Sequence, residues 1–203
     1  WSLLQYRHHF TKVQVMAIID LRSDTVTQPT PNMKRAMIEA DLGDDVLGDD
    51  PTVIRLEGMA ADRLGKEAAL FCVSGTMSNL VEVLTHCTRG DDMIVGDRAH
   101  MFLNEAGNAS ALGGIHVRTL PNDERGMLDP IAVRDSFREV NVHYPRTGLV
   151  SLENTHNQCG GAVLDPADIR SIAKIAHQNN VPVHLDGARI FNASVYLDIP
   201  VSH

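Results

Sequence analysis

The stretch VPVHLDGARI, residues 181–190, is a run of stiff apolar residues that ends in an acid, a glycine and then an arginine. Asp186 falls at the last position of a strand, and Arg189 lies three residues on. Two readings are open. Asp186 caps the next helix while Gly187 eases the turn, or it meets a cationic group of a ligand at the carboxyl edge of a sheet, where open α/β proteins place their sites. Other strand-like runs also end in polar residues. AALFCV leads into SGTMSN, residues 74–79, where Gly75 permits a tight turn and Ser74 or Thr76 can cap a helix. Such a helix start serves equally as an ordinary cap or as a phosphate cradle; it is not a Walker motif, because no lysine follows. DMIVG is followed by DRAH, which ends at His100, and LVSLEN by THNQCGG, which holds His156. An imidazole so placed can stack on a heteroaromatic ring or exchange a proton near neutrality. The acidic loop GDDVLGDDP, residues 43–51, carries Asp44, Asp45, Asp49 and Asp50 without the spacing or the glutamate of a calcium loop. It reads as a solvated turn and helix cap, and no metal is expected.

These residues converge only if the elements that carry them are parallel and adjacent. From about residue 50 strand-like and helix-like runs alternate: AALFCV, then a helix whose Met77, Leu80, Val81 and Leu84 share a face; DMIVG, then a helical candidate near FLNEAGNASALGG; IHVRTL, then LDPIAVRDSFREV; TGLVSLEN, then DPADIRSIAKIAHQNN, with Asp165 as N-cap and Pro166 in the first turn; and last VPVHLD. Upstream, PNMKRAMIEADLG and TVIRLEGMAADRLG each read as a helix closed by glycine. The alternation predicts an α/β fold, a mostly parallel sheet in a three-layer sandwich. Asp186 is then expected within one ligand length of the helix that starts near residue 76.

Composition sets outer bounds. The 203 residues suffice for one good core, and 43% hydrophobic with 22% charged is ordinary for a globular domain. Eighteen Lys and Arg against 26 Asp and Glu give a net charge of −8, which argues against nucleic-acid and anionic-membrane partners. No apolar stretch approaches the roughly 20 residues that span a bilayer. Cys72, Cys87 and Cys159 are widely spaced, which suits a reducing compartment, and the cytoplasm is expected. Residues 1–16, WSLLQYRHHFTKVQVM, hold Arg7 and Lys12 but no acid. They are read as an extraneous or targeting-like extension, with Leu3, Leu4 and Phe10 unpacked. Residues 17–203 are read as one domain that stops at DIPVSH without a closing element, hence an incomplete copy.

A phosphate cradle, an imidazole beside a ring and a carboxylate facing a ring nitrogen describe pyridoxal 5′-phosphate (PLP), whose protonated ring accepts electrons from a carbanion. The segments IDLRSDTVTQPT, GDDVLGDDPTV, KEAALFCVSGTMSN, ENTHN and HLDGARIFNA resemble, in order and spacing, the PLP-dependent threonine aldolases of the β-eliminating lyase group. The resemblance covers residues 18–202. It implies the large domain of the aspartate-aminotransferase type of PLP fold (fold type I), with the small C-terminal domain absent, and cleavage of L-threonine or L-allo-threonine to glycine and acetaldehyde. It implies that Gly75 and Thr76 cradle the phosphate, that His100 stacks on the ring, and that Asp186 faces the ring nitrogen. Arg189 would meet the cofactor's phenolic oxygen or the substrate carboxylate, Ser23 would bind that carboxylate, and His156 would lie near the substrate hydroxyl. His156, or a water it orients, is the candidate base. The full-length protein is expected to be a homodimer or homotetramer.

Two departures stand out. Leu47 replaces a tyrosine usual in the family's acidic loop. The lysine that carries PLP in the family lies some thirty residues beyond the aspartate, and of Lys12, Lys34, Lys66 and Lys174 none follows Asp186. Lys174, mid-helix among solvent-facing residues, is not expected to substitute, and the chain alone is expected to be inactive. The alternatives are a non-catalytic remnant or dimerisation module of the same fold, or another PLP-dependent β-eliminating lyase acting on tyrosine or tryptophan.

Overall fold

The structure, a computed structural model, describes residues 19–203. The expectation for residues 1–16 lies outside them. Strands β1 (Asp92–Gly96), β2 (His116–Leu120), β3 (Thr147–Glu153) and β4 (Val183–Asp186) form one sheet in the order β2-β1-β3-β4, with every pairing parallel. Around it run α1 (Pro31–Ile38), α2 (Pro51–Leu64), α3 (Gly75–His86), α4 (His100–Leu103), α5 (Asn108–Ala111), α6 (Pro130–Ser136), α7 (Pro166–Gln178) and α8 (Ile190–Leu197).

Side-chain alternation along the strands builds a core on each face. Met93 and Val95 of β1 and Leu149 of β3 pack with Val83 of α3 and Ala109 of α5. Ile94, Val150 and Leu152 point the other way, onto Val133 of α6 and Ile172 and Ala176 of α7. A parallel sheet covered on both faces needs such apolar runs, and the fold is the expected three-layer α/β sandwich. The helices start where an acid can accept the first free N–H groups and a proline costs no bond: Asp50, Asp129 and Asp165 cap α2, α6 and α7, each with proline at the first turn. Gly65, at φ +61°, closes α2 in the left-handed conformation.

Three expectations are corrected. Residues 68–73, AALFCV, form no strand. A strand needs a neighbour for its backbone groups; here Phe71 N–H donates to the Glu57 side chain at 2.7 Å, and Leu70, Phe71 and Val73 are exposed. Helix α1 ends at Ile38 on Glu39 rather than on a glycine. Gly43 instead serves the acidic loop, where a Cβ would meet the Asp49 carbonyl oxygen at 2.5 Å. On α3 the buried positions are Asn79 and Val83, while Met77 and Leu84 of the expected face are exposed.

Candidate active site

Register puts the ends of β3 and β4 side by side, with Glu153 opposite Asp186. Asp186 is anchored at both oxygens. Oδ1 accepts from the Ala188 N–H at 3.2 Å, and Oδ2 accepts from Asn79 Nδ2 at 3.0 Å. Because Asn79 lies in the second turn of α3, that bond ties the carboxylate to the start of the helix. Ser74 caps α3 by accepting from the Met77 N–H at 3.1 Å, which leaves the N–H groups of Gly75 and Thr76 at positions with no partner inside the helix. A Cβ built on Gly75 meets nothing within 4 Å. Gly75, Asn79, Asp186 and Ala188 line one cleft of about 660 Å³. Lys66 also lines it, whereas Lys174 is exposed on α7.

His100 begins α4, just past β1. Its ring Nδ1 lies 3.0 Å from Glu105 Oε1, and its backbone N–H donates to Glu153 Oε2 at 2.7 Å. The other Glu153 oxygen accepts from the Asn157 N–H at 2.9 Å, so one buried carboxylate fastens both histidine-bearing loops. Ligand atoms of His100, Glu105 and Asp186 lie within 4.8 Å of one another.

Arg189 is engaged by Asp24, a residue to which its own motif gives no pointer. Its Nε and Nη2 donate to the two oxygens of Asp24 at 2.6 and 2.7 Å, which brings the segment holding Ser23 to the end of β4. The Ser23 hydroxyl is exposed and occupied locally, accepting from Thr25. The Arg189 guanidinium lowers the Asp24 carboxyl to about 2. A carboxyl depressed in the folded state stabilises above its unfolded value, about 3.9, and loses that contribution as pH falls through the folded value. In an acid titration followed by carbon NMR, Asp24 should protonate near 2, and Arg189→Leu should return it to about 4. An unchanged midpoint in Arg189→Leu would refute the pairing.

His156 is brought near these groups but is enclosed. It is 1% exposed, and neither ring nitrogen has a hydrogen-bond partner among the described residues. Burial lowers the basicity of its imidazole, partly offset by the charge of Glu153. In the acidic loop Asp50 accepts from the Thr52 and Val53 N–H groups and from Gly43, and Asp49 accepts from Asp44; this is the expected turn and cap. Leu47 is exposed there.

Asn79, Glu105, Glu153, His184 and Asp24 join the site without standing out in the sequence. His184 carried a signal, since it stands two residues before Asp186 and a strand period of two puts both on one face.

The β-eliminating lyase family profile matches residues 20–203. The chain belongs to the β-eliminating lyase family. Within that family it is 47% identical over 190 residues to low-specificity L-threonine aldolase 1 of Arabidopsis thaliana, covering 92% of this chain and 53% of the relative. It is 47% identical over 178 residues to the low specificity L-threonine aldolase of Escherichia coli K12, covering 88% and 53%. This β-eliminating lyase chain thus spans about half the length of the curated relatives it matches. Among solved structures, Leishmania major threonine aldolase superposes with TM-score 0.68 at 22% identity, over 80% of this chain and 46% of that one. At that identity the likeness carries the fold alone, which is fold type I. No helix among the described residues is long and apolar enough to cross a membrane.

Proposed function

We propose that the natural full-length protein is a PLP-dependent aldehyde-lyase that cleaves L-threonine and L-allo-threonine to glycine and acetaldehyde. The observation that carries this is Asp186, doubly anchored at the end of β4 and lining one cleft with the start of α3. The residues present fit the cofactor. The cleft is of ligand size, the free N–H groups at Gly75 and Thr76 suit a phosphate, and the open space over Gly75 leaves room for it. Bound there, PLP supplies a ring that accepts the electrons of the broken Cα–Cβ bond.

The chain's own residues supply the rest. Asp186 would hold a proton at the ring nitrogen of a bound cofactor. His100, its Nδ1 directed at Glu105, would present its imidazole to a bound ring. Arg189 and Ser23 orient the substrate carboxylate, and Asp24 keeps the Arg189 guanidinium in place until then. Burial favours the neutral form of His156, which can accept the hydroxyl proton directly or through a water once the side chains enclosing it shift. We read the domain as residues 17–203 and the location as the cytoplasm, which suits three free cysteines. A homodimer or homotetramer is supported by α1 and α2, which bury only Ala61 between them and leave Met37, Ile38, Ile54 and Leu56 exposed.

The test incubates the full-length protein and PLP with each L-isomer and measures acetaldehyde and glycine. Equimolar release of both is expected. Phenol from tyrosine or indole from tryptophan, with no acetaldehyde from either substrate, would overturn the reading in favour of another lyase of the family.

A further inference from the structure

Asn79 occupies an unusual place. It is 5% exposed, and every polar atom of its side chain is used. Nδ2 donates one hydrogen to Glu105 Oε1 at 2.8 Å and the other to Asp186 Oδ2 at 3.0 Å, and Oδ1 lies 3.0 Å from His184 Nε2. An ionised carboxylate only accepts. Two carboxylates on one side therefore require the amide's NH₂ there and fix its oxygen towards His184, whose Nε2 must carry the hydrogen. Burial lowers the basicity of that imidazole, in keeping with a neutral ring that donates. Glu105 is itself buried, and it reaches His100 Nδ1 at 3.0 Å and Asn108 Nδ2 at 3.4 Å.

We infer that Asn79 is a positioning residue whose one amide holds the Asp186 carboxylate and, through Glu105, the His100 ring in a single connected arrangement. This rests on the reading of Asp186 as the partner of the PLP ring nitrogen. Without the amide, two carboxylates whose oxygens lie within 4.8 Å face each other with no donor between them. Like charges in a partly buried site repel strongly, and a buried acceptor that loses its donor also loses the reason for its orientation. Asp186, left with the Ala188 N–H alone, then turns from the ring, and Glu105, held by Asn108 alone, no longer fixes His100. Asn79 does not touch the reacting atoms in this account.

The test uses the full-length protein loaded with PLP labelled with ¹⁵N at the ring nitrogen. The nitrogen shift reads protonation of the ring, and a titration reads PLP affinity. In the parent a protonated ring nitrogen is expected. In Asn79→Leu the ring nitrogen should lose its proton and PLP should bind about 10- to 100-fold more weakly, with the far-ultraviolet circular dichroism of the parent retained. In Asn79→Leu/Glu105→Gln the repulsion is gone and the new amide can donate to Asp186, so protonation and much of the affinity should return. A purely structural role for Asn79 would not give that rescue. Should Asn79→Leu not fold, Asn79→Ala, which also removes the donors without adding a charge, is read in the same way, alone and with Glu105→Gln. A protonated parent with an equally protonated, equally tight Asn79 variant refutes this inference alone. An unprotonated ring in the parent refutes the assignment of Asp186 and this inference with it.

Discussion

Asp186→Ala in the full-length protein is expected to lower the turnover of L-threonine by about 10²- to 10³-fold, the scale on which one preorganised charge partner acts in a transition state. The reason is electrostatic. Electron flow into a pyridine ring is favourable when its nitrogen carries a proton, and a fixed carboxylate beside that nitrogen keeps the proton there. Asp186 is oriented by two donors, one from the turn after β4 and one from α3, so little reorganisation accompanies the reaction. Asp186→Asn keeps the shape and removes the charge, and it should lose nearly as much. Acetaldehyde release at saturating PLP measures both variants. Asp186→Ala within about 5-fold of the parent would sink the assignment, since that is under 1 kcal/mol of barrier. Loss of PLP affinity alone, with turnover restored at high PLP, would make Asp186 a binding group only.

Much of this frame was legible because its determinants are local. The helix cap after the acidic loop, the Asp165-Pro166 start and the glycine at 65 each act within a few residues and formed as expected, as did the strand runs from DMIVG to VPVHLD. The convergence of His100 and Asp186 followed from parallel topology, which the alternation of strands and helices dictates. What failed depends on distant partners. AALFCV has strand propensity but no strand beside it, and propensity yields to pairing. The face of α3 was read from Met77, Leu80, Val81 and Leu84. A polar residue, Asn79, turns inward instead, because its partners Glu105 and Asp186 lie 26 and 107 residues away. The pairing of Arg189 with Asp24 spans 165 residues. No periodicity reports such bonds. His156 was read as a site residue from its loop, and its enclosure depends on Gly126, thirty residues upstream.

Gly126→Ala is expected to be the most damaging glycine substitution among the described residues, with a loss on the order of 3 kcal/mol of stability. Two costs add. Gly126 stands at φ +87°, where an L side chain is strained, and a Cβ there would lie 2.3 Å from Cγ and Cδ2 of the His156 ring. The glycine cannot drift to relieve this. Its N–H donates to the Asp123 carbonyl at 3.1 Å, and its own carbonyl accepts from Asn122 Nδ2 at 2.7 Å. The ring can yield only by disturbing what encloses it, since His156 is 1% exposed and its backbone N–H donates to the Ala162 carbonyl at 2.9 Å. Urea unfolding of Gly126→Ala, His156→Ala and the double variant separates the two costs. If the clash dominates, Gly126→Ala in the His156→Ala background should cost only the backbone strain, about 1 kcal/mol, and the cycle should be non-additive by about 2 kcal/mol. Additivity would show that the backbone conformation alone requires glycine and that the ring of His156 lies elsewhere in solution. The clash account also predicts that Gly126→Ala displaces the imidazole proposed as the proton acceptor, so turnover should fall at temperatures where the variant remains folded.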